Sequence, residues 1–465
     1  MFLYANQSHL QKCVMAAFCI VAAAMGANCG SSAAAGEAPA GGIVSPSIAT
    51  SLPADGDPSG VRKRLGDRGI SYSLVYTGEV LGNVSGGVRR GGIYEGKLEG
   101  LLNIDFDKLT GWKGLNLFAN GFQIHRSRGL RDDHFDSLIT VSNIEAVSST
   151  RLSEIWFEQK MLGDKISLRI GQLAADAEFF VSDYARMFVS NDWPTILGAN
   201  LPSGGPAYPL SAPGARLKLT PDEHWTLLVG IFNGDPGNQA TANRHGTNFR
   251  VNDPPLVMGE LQFRFNQDKD ASGLAGILRL GGWYHFGEFE DQRLDDAGLS
   301  LAASVSSGNA RRLRQTSGIY GIVDQQIYRP RGGGPDSGVS VFGRVGGTQS
   351  DRNLIDLFFD TGIVAAGMFP GRPDDKFGAS LIFAKISDSA RALDKDAIAF
   401  GVQQPVRNYE MLLEVSYQFQ LVPGWVVQPL FQYVFNPGGN VPDPSGSGHA
   451  VRSGALLGLR STMTY

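Results

Sequence analysis

The chain has 465 residues, a formal net charge of -4, 60 glycines, 10% aromatic and 18% charged residues. That length allows two or three soluble domains or one large barrel, and a Gly-rich, aromatic-rich, charge-poor composition favours strands and turns over helices. Near-neutrality gives no reason to expect nucleic acid as a partner. The only cysteines, Cys13, Cys19 and Cys29, fall near the start, so a chain that has lost its leader has neither a disulfide framework nor a thiolate metal site.

In chain order, residues 1–35 read as a secretory signal peptide. Lys12 supplies positive charge, Val14 to Ala24 is an apolar core, and Ala33, Ala34 and Ala35 offer a small-x-small cleavage site. The core is short for a spanning helix. A lipid anchor at Cys29 is the weaker alternative, because Asn28 precedes it poorly. Residues 36–70 read as a periplasmic linker rich in Ala, Pro, Ser and Gly, with a short helix over Val61–Arg68 ending near Gly69. Residues 71–465 alternate with period two, the signature of strands with two different faces.

The alternation predicts sixteen strands: Ser71–Val80, Lys97–Asp107, Gly114–His125, Leu152–Met161, Lys165–Leu173, Gly214–Thr220, His224–Phe232, Leu256–Phe265, Ala275–Phe286, Ser317–Tyr328, Gly338–Gly346, Asp356–Met368, Lys376–Ile386, Tyr409–Gln420, Trp425–Phe435 and Ala455–Tyr465. Long and short connections alternate between them, with one near tie. A soluble sandwich has no reason to do this, whereas an outer-membrane barrel pairs short periplasmic turns with long outer loops. The expected fold is therefore an all-β, transmembrane antiparallel barrel of about 16 strands, set in outer-membrane lipid.

The faces agree. Leu457, Leu459, Met463 and Tyr465 alternate with Gly458, Arg460, Thr462 and Thr464. Tyr409, Met411, Leu413, Val415, Tyr417 and Phe419 alternate with Glu410, Glu414, Ser416, Gln418 and Gln420. A barrel in lipid needs an apolar outside and tolerates a polar lumen. Three features fit poorly: Leu412 on the polar face, Pro429 inside a strand, and Leu357–Met368, which is apolar on both faces.

Several stretches resemble the carbohydrate-selective porin family, often called OprB. They are RKRLGDRGISYSLVYTGEVLGNVSGG (Arg62–Gly87), YEGKLEGLLNIDFDKLTGWKGL (Tyr94–Leu115), RLSEIWFEQ (Arg151–Gln159) and SLRIGQLAADAEF (Ser167–Phe179). The last two are YEMLLEVSYQFQLVPGWVVQPLFQYVFNPGG (Tyr409–Gly439), which carries Pro429, and LGLRSTMTY (Leu457–Tyr465). Gly234–Arg352 resembles the family less. The resemblance implies a sixteen-stranded barrel with loops folded into the lumen, passive diffusion of glucose-like sugars, and a monomer rather than a trimer. Its last strand, ending in Tyr465 rather than the commoner Phe, is expected to engage the barrel-assembly machinery.

Sugar selectivity calls for paired donors and acceptors beside an aromatic platform. Alternation turns Glu99, Asn103, Asp105 and Asp107 inward on one strand, and Glu154, Trp156, Glu158 and Lys160 on another. Arg169, Arg216, Lys218, Arg279, Trp283, His285, Arg344 and Arg460 complete the wall. We single out Glu99, Asp105, Glu154, Trp156, Glu158, Arg169, Arg126 and Arg128 as the expected constriction. Acidic residues early and basic residues elsewhere predict a transverse field across the pore. The longest loop, Ala174 to Pro213, carries Asp183, Tyr184, Arg186, Asp192, Trp193 and Pro194 and is expected to fold inward.

Other chemistry is thin. No G-x-S-x-G or H-E-x-x-H motif accompanies the histidines, so an outer-membrane hydrolase is the weaker reading. The Gly-rich GGVRRGG (Gly86–Gly92) and RGGGP (Arg331–Pro335) do not open helices. Asp132, Asp133 and Asp136 lack the spacing of a calcium-binding hand. No cofactor or metal is expected. A general, anion- or phosphate-preferring porin remains the alternative, kept open by the lumenal arginines.

Overall fold

The computed structural model describes residues 43, 46–126, 129–191, 193–268, 273–334 and 337–465. The expected leader lies outside them. Sixteen strands form one closed barrel: β1 (Ile70–Gly87), β2 (Gly91–Asp105), β3 (Leu115–Arg126), β4 (Ser149–Met161), β5 (Ile166–Leu173), β6 (Ala212–Leu219), β7 (Trp225–Asn233), β8 (Pro255–Phe265), β9 (Gly276–Asp295), β10 (Ala310–Tyr328), β11 (Gly338–Thr348), β12 (Ile355–Ala366), β13 (Lys376–Ile386), β14 (Tyr409–Val422), β15 (Trp425–Phe435) and β16 (Arg452–Thr464). Each pairs antiparallel with its sequence neighbours, and β1 closes on β16 with Glu79 opposite Arg460. Short helices lie at α1 (Val61–Asp67), α2 (Phe106–Thr110), α3 (Thr195–Gly198) and α4 (Asp388–Ala399).

The two faces separate by chemistry. Outward side chains are apolar and open: Leu280 is 65% and Ile319 73% exposed, and Val80, Ile170, Val345 and Leu459 behave alike. Inward side chains are largely polar yet buried, with Glu79, Glu260, Asp324, Glu410 and Glu414 almost fully covered. A water-filled tube would leave them wet, so something fills the lumen.

Some strands run longer than their hydropathy pattern. β1, β9 and β10 extend well past the predicted ends, and the β1–β2 connection shrinks to 88–90. Above the lipid belt the outward face meets water instead of hydrocarbon, so it carries residues such as Glu288 and Glu290 and the hydropathy contrast fades while backbone pairing continues. The β11–β12 connection, 349–354, is also short. The expected contrast of long and short connections therefore fails at these two outer loops. Helix α4 is an addition within a predicted loop, capped by the Ser387 side chain, which accepts from Ala390 N–H.

The three misfits find their causes. Pro429 opposes Leu459 on β16, and β14–β15 pairing lapses between Ser416↔Leu430 and Phe419↔Val427, where Pro would have had to donate. Leu412 and Phe358 point inward and are buried in the apolar cluster beneath inward-folded loops. That cluster explains why β12 is apolar on both faces.

Candidate functional site

Two long connections enter the lumen: 129–148 between β3 and β4, and 174–191 with 193–211 between β5 and β6. The second is apolar enough to need a core. Phe179, Phe180, Val189, Ile196 and Leu197 are buried, and Phe180 stacks on Tyr320 at 4.0 Å and meets Phe358 edge-on at 6.2 Å. Burial of its backbone creates a second demand, since unpaired N–H groups are costly. Wall carboxylates meet it. Glu414 accepts from the N–H groups of Val189 (2.9 Å) and Ser190 (2.8 Å). Glu260 accepts from Phe180 N–H (2.9 Å), and Asp324 from Asp183 N–H (2.9 Å). Glu410 does the same for the first loop, accepting from Leu138 (2.9 Å) and Ile139 (2.8 Å). Gln418 and Gln428, beside the lapse at Pro429, both donate to Met187 O.

Between the loops and the wall lies a cavity of about 770 Å³. On β2 and β3, Lys97 pairs with Glu99 at 2.9 Å, and Asn120 donates to Glu99 at 2.7 Å. The Lys97 ammonium lies 4.7 Å from the centre of the Phe122 ring and 5.3 Å from that of Tyr208. Asp176 accepts from Tyr208 N–H at 2.7 Å, and Tyr208 OH donates to Ile144 O at 2.7 Å. Burial pushes the Asp176 carboxyl up to about 6, against the pull of that N–H. Arg186, Trp193, Arg344, Gln418, Gln428 and Arg460 line the cavity further round.

The predicted residues separate. Glu99 and Glu154 face the cavity; Glu154 accepts from Ala174 N–H at 3.0 Å, where the inward loop leaves β5. Trp156, Glu158 and Arg169 come together beside it as a buried network. Arg169 lies 3.9 Å from the Trp156 ring centre and 3.3 Å from Glu158, and Arg216 bridges Glu158 (3.0 Å) and Glu178 (2.7 Å). Asp105 is a correction: it ends β2 and caps α2, accepting from Asp107 N–H at 2.9 Å at the short-turn end. Arg126 ends β3 with its side chain outside the description, and Arg128 and Asp192 lie outside the described residues.

The expected transverse field is also corrected. Arg344 pairs with Asp360, Arg279 with Asp183 and Asp324, and Arg460 with Glu79. Paired charges cancel over short range. The sequence reading passed over Lys97, Asn120, Phe122, Asp176 and Tyr208. Lys97 was visible, two residues from Glu99 on one face. Asp176 and Tyr208 sit in a loop, where alternation carries no signal.

Comparison with known proteins gives one answer. Residues 89–465 match the family model described as carbohydrate-selective porin, OprB family. Porin B of Pseudomonas aeruginosa is 24% identical over 406 residues, covering 83% of this chain and 87% of that protein. A putative porin, QuiX, of Acinetobacter baylyi is 20% identical, covering 83% and 88%. The high-pH structure of Pseudomonas putida OprB superposes with a TM-score of 0.77 at 22% identity, covering 88% of this chain and 97% of that one; at that identity the likeness speaks for the fold.

Proposed function

Because the chain belongs to the carbohydrate-selective porins of the OprB family, a family of outer-membrane channels, we propose that it passes glucose-like sugars by passive diffusion through the cavity between its inward loops and wall. One observation carries the reading: the Lys97–Glu99–Asn120 cluster stands against the Phe122 and Tyr208 rings. Such a cluster replaces part of a sugar's hydration while the rings meet its apolar face. Its polar groups are largely satisfied already, which keeps binding weak enough for release. The pairing of Arg279, Arg344 and Arg460 with carboxylates weakens the case for an anion-preferring pore.

Four further assignments belong to this proposal. Residues 1–35 are a leader removed on export. The last strand, with Leu457, Leu459, Met463 and Tyr465 outward, is the segment read by the barrel-assembly machinery. The barrel works as a monomer, a reading supported by the apolar side chains open to lipid on β1, β5, β9, β10, β11 and β16. It carries out no reaction on its solute.

Liposome swelling with the refolded protein tests the reading. Glucose is expected to enter faster than disaccharides and faster than amino acids of its own size. Glu99→Gln is expected to slow glucose by roughly threefold, the equivalent of about 0.7 kcal/mol, with little change for glycine. Uptake that follows size alone sinks the sugar assignment.

A further inference from the structure

The connection 234–254, between β7 and β8, goes the other way from the two inward loops. On β5, Arg169 and Ser167 face the lumen network, so Ile170 and Gln172 face outward. Ile170 is 56% exposed, yet Gln172, on the same face, is 2%. What covers it is Gly246, whose carbonyl accepts from Gln172 Nε2 at 2.9 Å. On β7 the pattern repeats. Ile231 is exposed, whereas the outward Asn233 is buried beneath Asp253, which accepts from its amide at 2.9 Å. The approach is close: Leu152 N–H donates to His245 O at 2.9 Å. A Cβ at Gly246, whose φ is +66°, would fall 1.8 Å from Leu152 O.

The arm therefore lies against the outer face of β4–β8 at the long-loop end. It carries Phe249 (52% exposed) and Val251 (77%). Together with Ile155, Ile170, Ala215 and Ile231 they wall an apolar groove of about 640 Å³. In water two such side chains on a loop are unfavourable; against hydrocarbon they are not. Ile170 and Ile231 belong both to this groove and to the outward apolar face of the barrel. Arg244, two residues before Gly246, is exposed and among the described residues donates to the Ser148 carbonyl at 3.4 Å.

We propose that 234–254 is an arm seated in the outer leaflet, and that the groove beneath it holds an acyl chain of a lipid whose anionic headgroup meets Arg244. The occupant is lipid rather than a second chain, because Ile170 and Ile231 of the groove are part of the outward apolar face, and Arg244, two residues from the Gly246 that covers Gln172, is a cation suited to a phosphate. The idea is independent of which solute the pore passes.

Native mass spectrometry of the full chain in detergent, with added lipid A, tests it. One lipid A adduct per chain is expected, bound more tightly than phosphatidylethanolamine. Phe249→Ser with Val251→Ser is expected to weaken it about tenfold, and Arg244→Gln to weaken lipid A but not phosphatidylethanolamine. Both apolar positions are exposed, so the barrel should fold, and an unchanged temperature of conversion from the folded to the unfolded gel band confirms that it has. Val251→Ala alone is the milder check, with about a threefold loss. The absence of an adduct, an adduct indifferent to the double variant, or a two-chain mass that the double variant abolishes would each overturn the proposal, the last by giving the groove to a second copy.

Discussion

Asp176 shows how one position sets the electrical character of the cavity. Its carboxylate is held by Tyr208 N–H, with Lys97 and Arg186 near enough to favour the charge, yet burial wins and raises its pKa to about 6. The sign follows. At pH 7 the group is mostly ionised and attracts cations; at pH 5 it is mostly neutral. The ratio of potassium to chloride permeability, read from reversal potentials across planar bilayers, should fall between pH 7 and pH 5. Asp176→Asn should lower the ratio at pH 7 and flatten the slope, leaving only what Glu154, which lines the same cavity, contributes. The same slope in the variant would assign the titration elsewhere. For stability the sign is opposite to that of a salt-bridged carboxylate. With the folded pKa above the unfolded value, the contribution is fully present below about 3.8 and is lost as pH rises through about 6.

At the scale of elements, the inward loops are latched rather than merely packed. Glu414 takes two successive N–H groups of 174–191, and Glu410 takes two of 129–148. Removing Glu414 leaves two buried N–H groups unpaired, each costing about 1–3 kcal/mol. Glu414→Ala should free the loop without opening the wall, since β14 keeps its backbone ladder with β13 and β15. The expected result is faster uptake of a disaccharide, with glucose much less affected, and new protease cuts confined to 174–211. Unchanged size selectivity would mean that apolar packing around Phe180 alone holds the loop. Here the limit of the sequence becomes physical. Alternation reports which face a side chain takes, so the barrel, its strand order and the inward placement of Glu410 and Glu414 were legible. It does not report whether an inward carboxylate meets water, solute or a returning loop, so it gives no reason to single out Glu260 and Asp324 and does not distinguish the buried Glu158 from a pore residue. The apolar inward residues Leu412 and Phe358 were the usable signal: a lumen that buries Leu and Phe contains protein. For the arm at 234–254, the outward Gln172 and Asn233 were the corresponding clue.

For the whole molecule the weak point of any closed sheet is the seam between its first and last strands, because only there must pairing wait for the entire chain. This barrel reinforces it at three heights. Glu79 and Arg460 pair across the seam, and Arg460 also donates to Asn143 of an inward loop at 2.6 Å, tying closure of the wall to insertion of the loop. Lower down, Tyr465 and Leu74 exchange backbone hydrogen bonds of 2.8 and 2.9 Å. Below that, the segment before β1 folds back over the joint. Arg62 of α1 is buried between the rings of Tyr72 and Tyr465 at 5.1 and 4.7 Å and donates to Tyr72 O at 3.1 Å, while Tyr465 OH donates to Gly56 O at 2.7 Å. A terminal aromatic is thus held by a cation on its face and an acceptor at its hydroxyl. The two contributions can be separated. Tyr465→Phe keeps the ring and loses the hydroxyl bond, worth about 0.5–1.5 kcal/mol. Tyr465→Ala loses the cation–ring contact as well, a further 0.5–2 kcal/mol or so. The temperature at which the folded band converts to the unfolded one on a gel should therefore fall in the order wild type, Tyr465→Phe, Tyr465→Ala, with Arg62→Ala close to the last. An Arg62→Ala variant that melts with the wild type would show that the segment before β1 only rests on the seam, and that the ladder and the Glu79–Arg460 pair close the barrel unaided.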